Sequence, residues 1–158
     1  MDNKILRKQK LLGQILIEKK LITTQQLSDA LKEQEHSNEF LGQILKKRGI
    51  IKEDDLLTVL AEQFNIPYIK LKDRYIDWDL IRQFSPSLII DYKYIPLARD
   101  DWAITFATTN PMDINALKKA EDEAGVLKAK LVLINNADME DIIHRYRQYL
   151  RGNISKII

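Results

Sequence analysis

This chain lacks cysteine, and its 158 residues include only two histidines, five glycines and four prolines. The absence of cysteine excludes disulfides, zinc–thiolate sites and cysteine nucleophiles. The histidines, His36 and His144, are too few for a typical histidine-based metal site, and both are expected at solvated helix positions. No glycine belongs to a P-loop or a Gly-x-Gly-x-x-Gly sequence. Catalysis by this chain alone is therefore not predicted, and no metal site is expected.

The chain also lacks a strong charge of either sign and any long apolar run. Its 25 basic and 23 acidic residues leave a net charge of +2, which gives no indication of a nucleic-acid partner. No segment approaches the roughly 20 apolar residues of a membrane helix, and the start lacks the apolar core of a signal peptide. We therefore expect a cytoplasmic protein of one domain or two small subdomains, without direct membrane insertion.

The most informative feature that is present is an internal repeat. Residues 12–34 return at residues 41–63 with a constant offset of 29 and no gap, and ten of the 23 aligned positions are identical. Leu-Gly-Gln-Ile-Leu opens both copies. A fixed period with matched apolar spacing indicates one supersecondary unit built twice. Such a pair suits either mutual burial or a ligand that is itself nearly two-fold.

Each repeat reads as two helices. The predicted helices are 12–19, 24–36, 41–48 and 53–65. Thr23 and Gln26 are spaced as a capping box, and Lys20 and Gly49 occupy equivalent helix stops. Because lysine does not accept positive φ as easily as glycine, the first stop is expected to be slightly strained or differently shaped. Gly13 and Gly42 are expected at helix starts, where backbone N–H groups favour phosphate.

The second half mixes strands and helices. The predicted strands are 68–71, 94–99, 102–108 and 127–134, and the predicted helices are 77–83, 86–91, 113–124 and 138–150, the last capped by Asn136 or Asp138. Acidic residues 121–123 are expected on a solvated helix face. The fold class is predicted as α+β, with a tandem-repeat helical subdomain at 1–65 (repeats at 11–34 and 40–63), a small α/β subdomain at 66–150 and a tail or linker at 151–158.

The tandem pattern Leu-Gly-x-x-Leu-x₅-Ile-x₄-Leu-x₃-Leu-x₂-Gln resembles the MshEN domain, the N-terminal domain of type II secretion and type IV pilus assembly ATPases. The resemblance continues at Phe64–Tyr68, Tyr94–Leu97, Trp102–Thr108 and Asn110–Asp113 and in the predicted helix 138–150, and it covers about residues 9–150. It implies a non-catalytic regulatory or docking domain that is cytoplasmic and peripheral to the inner membrane through its partners. Those partners would be the ATPase domain of the parent chain and the cytoplasmic part of an inner-membrane platform protein.

Several members of this family bind cyclic di-GMP, each repeat holding one half of the ligand. The resemblance implies the following candidate ligand-binding residues: Lys10, Leu12, Gly13, Leu16, Leu27, Leu31, Gln34, Phe40, Leu41, Gly42, Leu45, Leu56, Leu60 and Gln63. No cofactor is implied beyond that ligand.

One position departs from the family's motif. A basic residue usually precedes Leu-Gly, but this chain has Leu11 and Phe40 there. Phe40 can still stack on a base, as aromatic side chains do in nucleic-acid sites. The alternative is a protein-interaction adaptor without a nucleotide, which would use apolar residues such as Tyr75, Trp78 and Phe84. Each of these three residues fits a place in the core equally well. DNA binding by the repeat is disfavoured because its second helices carry acids.

Overall fold

The computed structural model describes the backbone of residues 3–125 and 127–157 and the side chains of residues 11–125 and 127–154. The chain divides into two bodies, Met1–Asn65 and Ile66–Ile158. The first body is helical: α1 (Asn3–Glu18), α2 (Thr24–Glu35), α3 (Leu41–Lys47) and α4 (Glu53–Phe64). The second body is mixed: α5 (Trp78–Ile81), α6 (Pro86–Ile90), β1 (Ile95–Arg99), β2 (Ala103–Thr108), α7 (Ile114–Ala124), β3 (Lys128–Leu133) and α8 (Asn136–Ile157). The α+β class is thereby confirmed.

The repeat of the sequence is also a repeat of the structure. Helices α2 and α4 start and end 29 residues apart, and so do the ends of α1 and α3. The predicted capping box is present, because the N–H of Gln26 donates to Thr23 Oγ1 at 3.1 Å and the N–H of Thr23 donates to Gln26 Oε1 at 2.8 Å. Helix α1 nevertheless begins at Asn3 rather than at Leu12. The preceding residues contain no glycine or proline, so nothing stops the helix from extending backwards.

The two helix stops share one backbone geometry. Lys20 has φ +58° and Gly49 has φ +68°. Behind each, a 6→1 bond closes the turn: the N–H of Leu21 donates to the carbonyl of Leu16 at 2.9 Å, and that of Ile50 to the carbonyl of Leu45 at 3.0 Å. The expected strain at Lys20 is thus located in a left-handed conformation that glycine adopts without a Cβ penalty.

We expect Lys20→Gly to raise the free energy of unfolding of the first body by about 1 kcal/mol, because it removes the left-handed penalty. Gly49→Lys should lower it by a similar amount. Urea unfolding followed by circular dichroism measures both. A destabilising Lys20→Gly would mean that the lysine side chain contributes more than its backbone conformation costs.

The second body is built on a three-stranded sheet in the order β1-β2-β3. Strands β1 and β2 are antiparallel, while β2 and β3 run parallel and are joined through α7. The predicted strand 68–71 is wrong in extent, because only Tyr68 forms a bridge, to Leu133. The chain leaves the sheet there: the N–H of Leu71 donates to Asp138 Oδ2 at 2.8 Å. A side chain on α8 thus takes the place of a ladder partner.

Helix α8 differs from its prediction at both ends. Its N-terminal N–H groups are capped by Asn135, whose Oδ1 accepts from the N–H of Asp138 at 2.8 Å, rather than by Asn136 or Asp138. At the other end it continues through Ile157, so residues 151–157, predicted as a tail or linker, are helical. Gly152 costs a helix only about 1 kcal/mol, and a nucleated helix propagates past such a residue.

A single apolar core fills the second body. Phe106 and Tyr94 of the sheet region pack with Phe84, and helices α6, α7 and α8 add Ile89, Ala116 and residues of α8. Phe84, for which docking and core positions were both open, is a core residue: it is buried, and its ring packs edge-to-face on Phe106 with 5.4 Å between centroids. Trp78 is half-buried and stacks on Tyr149. Of the three aromatic docking candidates, Tyr75 is the one that the structure exposes.

Glu123 joins α6 to α7. The prediction of a solvated acidic face is wrong for this residue, because its carboxylate is half-buried and accepts from the N–H of Ser85 at 2.6 Å and from Ser85 Oγ at 2.8 Å. Ser85 in turn caps α6 through the N–H of Leu88. Burial acts to raise the pKa of Glu123, but the Ser85 hydrogen bonds and the ammonium of Lys119 together outweigh it, so that this pKa is lowered.

A carboxylate with a lowered pKa stabilises the folded state fully above its unfolded pKa of 4.5, and this stabilisation is lost as the pH falls through the lower folded pKa. We therefore expect Glu123→Gln to lower stability at neutral pH and to flatten the acid limb of the stability curve below pH 4.5. Glu121→Gln, at an exposed position of the same helix, is the matched control. Equal acid sensitivity of Glu123→Gln and the parent chain, measured by urea unfolding at several pH values, would contradict this assignment.

Candidate ligand site in the tandem repeat

The glycine that recurs in both repeats allows close helix packing. A Cβ added at Gly13 would lie 2.7 Å from a methyl carbon of Leu27, and one at Gly42 would lie 3.0 Å from a methyl carbon of Leu56. The glycine of the first helix therefore seats the leucine fourteen residues later in both repeats. The expectation that Gly13 lies at a helix start is wrong, because it lies well inside α1, where the backbone N–H group is used within the helix. Gly42 is the second residue of α3.

The two repeats are joined by reciprocal ion pairs. Lys19 Nζ lies 3.0 Å from Glu62 Oε2, and Arg48 pairs with Glu33. Lys19 and Arg48 are equivalent positions, as are Glu33 and Glu62. Each repeat thus supplies the cation for one pair and the carboxylate for the other, which is the pattern of a two-fold, self-complementary interface. These pairs were not predicted, although a basic residue and a glutamate that both recur at the offset of 29 residues were the signal for them.

The structure separates the candidate residues into a buried set and an accessible set. The buried set is Leu12, Gly13, Leu16, Leu41, Gly42, Leu45, Leu56 and Leu60. The accessible set, whose members are half-buried, is Leu27, Leu31, Gln34, Phe40 and Gln63. Lys10 lies within α1, but its side chain is outside the described part of the chain. A ligand on the surface of this body can reach the accessible set without unpacking the core. The buried set packs the helices together.

Polar contacts fix the segment between the repeats. Gln34 Nε2 donates to the carbonyl of Glu39 at 3.2 Å, and the N–H of Phe40 donates to Gln43 Oε1 at 3.0 Å. Gln34 therefore ties the end of α2 to the residue that precedes Phe40. The Phe40 ring follows in a half-buried position at the start of α3, while Leu11 is 47% exposed. Phe40 and Leu11 occupy equivalent sequence positions but different structural ones, because α1 continues through Leu11 and α3 starts after Phe40.

The basic side chains near this surface are already engaged. Lys46 contacts Glu53 at 3.1 Å and Lys47 contacts Glu39 at 3.3 Å. Lys19 and Arg48 are engaged in the pairs between the repeats. Among the described side chains of the first body, the basic residues that form no ion pair with another described residue are Lys20, Lys32 and Lys52. Among all described residues, no group of three or more histidine or carboxylate side chains is placed to hold a metal ion. None of the described helices is long and apolar enough to cross a membrane.

Comparison with known proteins places the chain in a family. The model of the MshEN domain matches residues 64–153. The type IV pilus assembly ATPase PilB of Myxococcus xanthus is 28% identical over 135 residues, which are 85% of this chain and 24% of that protein. Bacteriophage adsorption protein B of Escherichia coli K12 is 24% identical over 135 residues, 85% of this chain and 18% of that protein. The chain thus spans about a quarter or less of the length of these relatives.

Solved structures agree with the fold. The structure of MshE with cdg superposes with a TM-score of 0.76 at 24% identity, covering 85% of this chain and 97% of that one. The N-terminal domain of XpsE superposes with a TM-score of 0.67 at 16% identity, covering 87% and 94%. Both likenesses span the helical repeat as well as the sheet, since they cover more than either body alone. This chain belongs to the MshEN domain family.

Proposed function

We propose that this chain is a non-catalytic regulatory domain of a type IV pilus or type II secretion ATPase, and that it binds cyclic di-GMP through its tandem repeat. The observation that carries this proposal is the structural two-foldness of the first body, in which helix ends, glycine contacts and ion pairs all recur at an offset of 29 residues. Cyclic di-GMP is itself two-fold, so equivalent surfaces can hold its two halves. The solved relative MshE with cdg supports this choice of ligand.

The accessible residues set how such a ligand would be held. Leu27 and Leu31 lie one turn apart on α2 and are half-buried, so their apolar surface can cover the face of a purine. Their equivalents in the second repeat, Leu56 and Leu60, are buried. We therefore expect the two half-sites to differ, with the first repeat offering more apolar surface than the second.

Phe40 replaces a basic residue of the family's motif. Its ring is half-buried at the N-terminus of α3, and an aromatic ring at such a place can stack on a base with a contribution of about 1–3 kcal/mol. Neither Phe40 nor Leu11 can supply the charge-assisted hydrogen bond of an arginine, whose loss costs about 1.5–3 kcal/mol. Binding is therefore expected to be weaker than in a relative with two basic residues, by roughly tenfold or more for each lost contact.

Isothermal titration calorimetry of cyclic di-GMP against the whole chain tests the proposal. We expect binding that Phe40→Ala weakens by roughly 5- to 150-fold through lost stacking. Gln34→Ala should weaken binding by about 2- to 12-fold, because it removes the hydrogen bond from the Gln34 side chain to the carbonyl of Glu39, the residue before Phe40. Gln25→Ala, at an exposed position of the same helix, is the matched control. Leu41 is unsuitable for this purpose because it is fully buried, and its truncation would destabilise the body itself.

Absence of heat at millimolar ligand would overturn the ligand assignment. The alternative function would then be a protein-interaction adaptor that docks on the cytoplasmic part of an inner-membrane platform protein. The exposed Tyr75 is the observation that favours this second candidate. In both cases the parent ATPase would place the domain in the cytoplasm and bring it to the inner membrane through partners.

A further inference from the structure

The accessible set of the first body contains no charged side chain. It consists of three apolar residues and two amides: Leu27, Leu31, Phe40, Gln34 and Gln63. An apolar surface covers the face of a base, whereas one base is told from another by hydrogen bonds at its edges. The accessible set therefore offers three apolar side chains to the face of a base and only amide groups to its edges.

The charged groups that lie next to this set along the chain are paired with one another. Arginine is the side chain that most often selects guanine, because it donates to both O6 and N7. Arg48 is the one arginine among the described side chains of the first body, and it is paired with Glu33. A carboxylate could accept from the amino group of guanine, but the glutamates that directly precede members of the set are each paired with a cation. These pairs are Glu33 with Arg48, Glu39 with Lys47 and Glu62 with Lys19.

The two amides of the set do not separate the purines. A glutamine side chain carries N–H donors and a carbonyl acceptor, so it can donate to O6 or N7 of guanine and can equally pair with N6 and N7 of adenine. The amide of Gln34 is also tied to the backbone, because its Nε2 donates to the carbonyl of Glu39 at 3.2 Å. Such groups add polar contact without excluding either base.

We propose that the repeat selects purines by stacking and does not distinguish guanine from adenine, so that cyclic di-AMP binds about as tightly as cyclic di-GMP. This inference rests on the proposed function, since it concerns the same site and states which bases the site accepts. Phe40 sets the tolerance, because its half-buried ring at the start of α3 can stack on a base but cannot donate to its edge. Stacking accepts any base with a sufficient π-face, and the two-ring purines cover more apolar surface than the one-ring pyrimidines.

The test is calorimetric titration of the whole chain with cyclic di-GMP, cyclic di-AMP and cyclic di-UMP. The dissociation constants of the two purine compounds are expected to agree within about threefold. Cyclic di-UMP should bind roughly fivefold more weakly or worse, because its smaller rings bury less apolar surface. Phe40→Arg adds a guanidinium that can donate to O6 and N7, so it should create a preference of about 5- to 150-fold for cyclic di-GMP over cyclic di-AMP. The preference is a ratio of two affinities, so an unfolded fraction of the variant lowers both affinities equally and leaves the ratio unchanged.

The matched control is Gln25→Arg, which adds the same charge at an exposed position of α2 and should change the preference by no more than about twofold. An equal change of preference in this control would overturn the role assigned to Phe40. If the parent chain binds cyclic di-GMP about tenfold or more tightly than cyclic di-AMP, the inference is wrong while the proposed function stands. Equal binding of cyclic di-UMP would also overturn the inference, because the bases would then not select the ligand. Absence of heat with all three compounds would overturn the proposed function and this inference with it.

Discussion

Replacing Phe106 by alanine is expected to lower the free energy of unfolding of the second body by about 3–5 kcal/mol. Phe106 is fully buried on the central strand β2. Its ring centroid lies 5.4 Å from that of Phe84 and 6.1 Å from that of Tyr94. Truncation removes both aromatic contacts and leaves a cavity that the strand cannot close, because β1 and β3 hold it on both sides.

The effect is large because domains of this size are typically stable by only about 5–15 kcal/mol. Urea unfolding followed by near-ultraviolet circular dichroism measures it. Trp102→Ala is the matched control: Trp102 directly precedes β2 and is also aromatic, but it is 82% exposed, so its truncation should change stability by less than about 0.5 kcal/mol. A Phe106→Ala variant as stable as the Trp102→Ala variant would show that the sheet repacks around the cavity.

Replacing Leu45 by alanine is expected to lower the free energy of unfolding of the first body by about 2–5 kcal/mol. Leu45 closes the Leu-Gly-x-x-Leu motif of the second repeat and is fully buried, as is its equivalent, Leu16. Because the two positions are equivalent in structure, Leu16→Ala should cost a similar amount. Their burial assigns these leucines to the core of the repeat.

Leu31→Ala provides the comparison. Leu31 is half-buried, so its truncation should cost less stability than Leu45→Ala, while it should weaken cyclic di-GMP if the proposed site is correct. Thermal unfolding with and without ligand separates the two effects. If Leu31→Ala costs as much stability as Leu45→Ala, then Leu31 belongs to the core, and the first half-site loses the apolar surface assigned to it.

Family membership and the proposed ligand site rest on different parts of the chain. The family model matches residues 64–153, which lie almost wholly in the second body, whereas the two-fold repeat lies in the first. A variant that keeps the fold and does not bind cyclic di-GMP would therefore still belong to the MshEN domain family.

Most elements were predictable because their signals are local. The capping box at Thr23, Ser85 with Pro86 at the start of α6, and the stop of α7 at Gly125 each involve a few neighbouring residues. Two of the errors arose where a partner far along the chain decides the outcome. The strand predicted at 68–71 ends early because Asp138 binds the N–H of Leu71, and Glu123 leaves the solvent because Ser85 lies against it.

The sequence by itself determined that one helical unit is built twice, because a constant offset of 29 residues and its apolar spacing are written along the chain. It also marked Lys20 as a helix stop equivalent to Gly49, and the structure gives both residues a positive φ. Only the tertiary structure decided which repeat leucines form the core and which remain accessible. Burial depends on what packs against a side chain from elsewhere, and α1 and α3 start differently although their motifs are the same. The reciprocal ion pairs were decided there too, since a pair exists only when the second repeat faces the first.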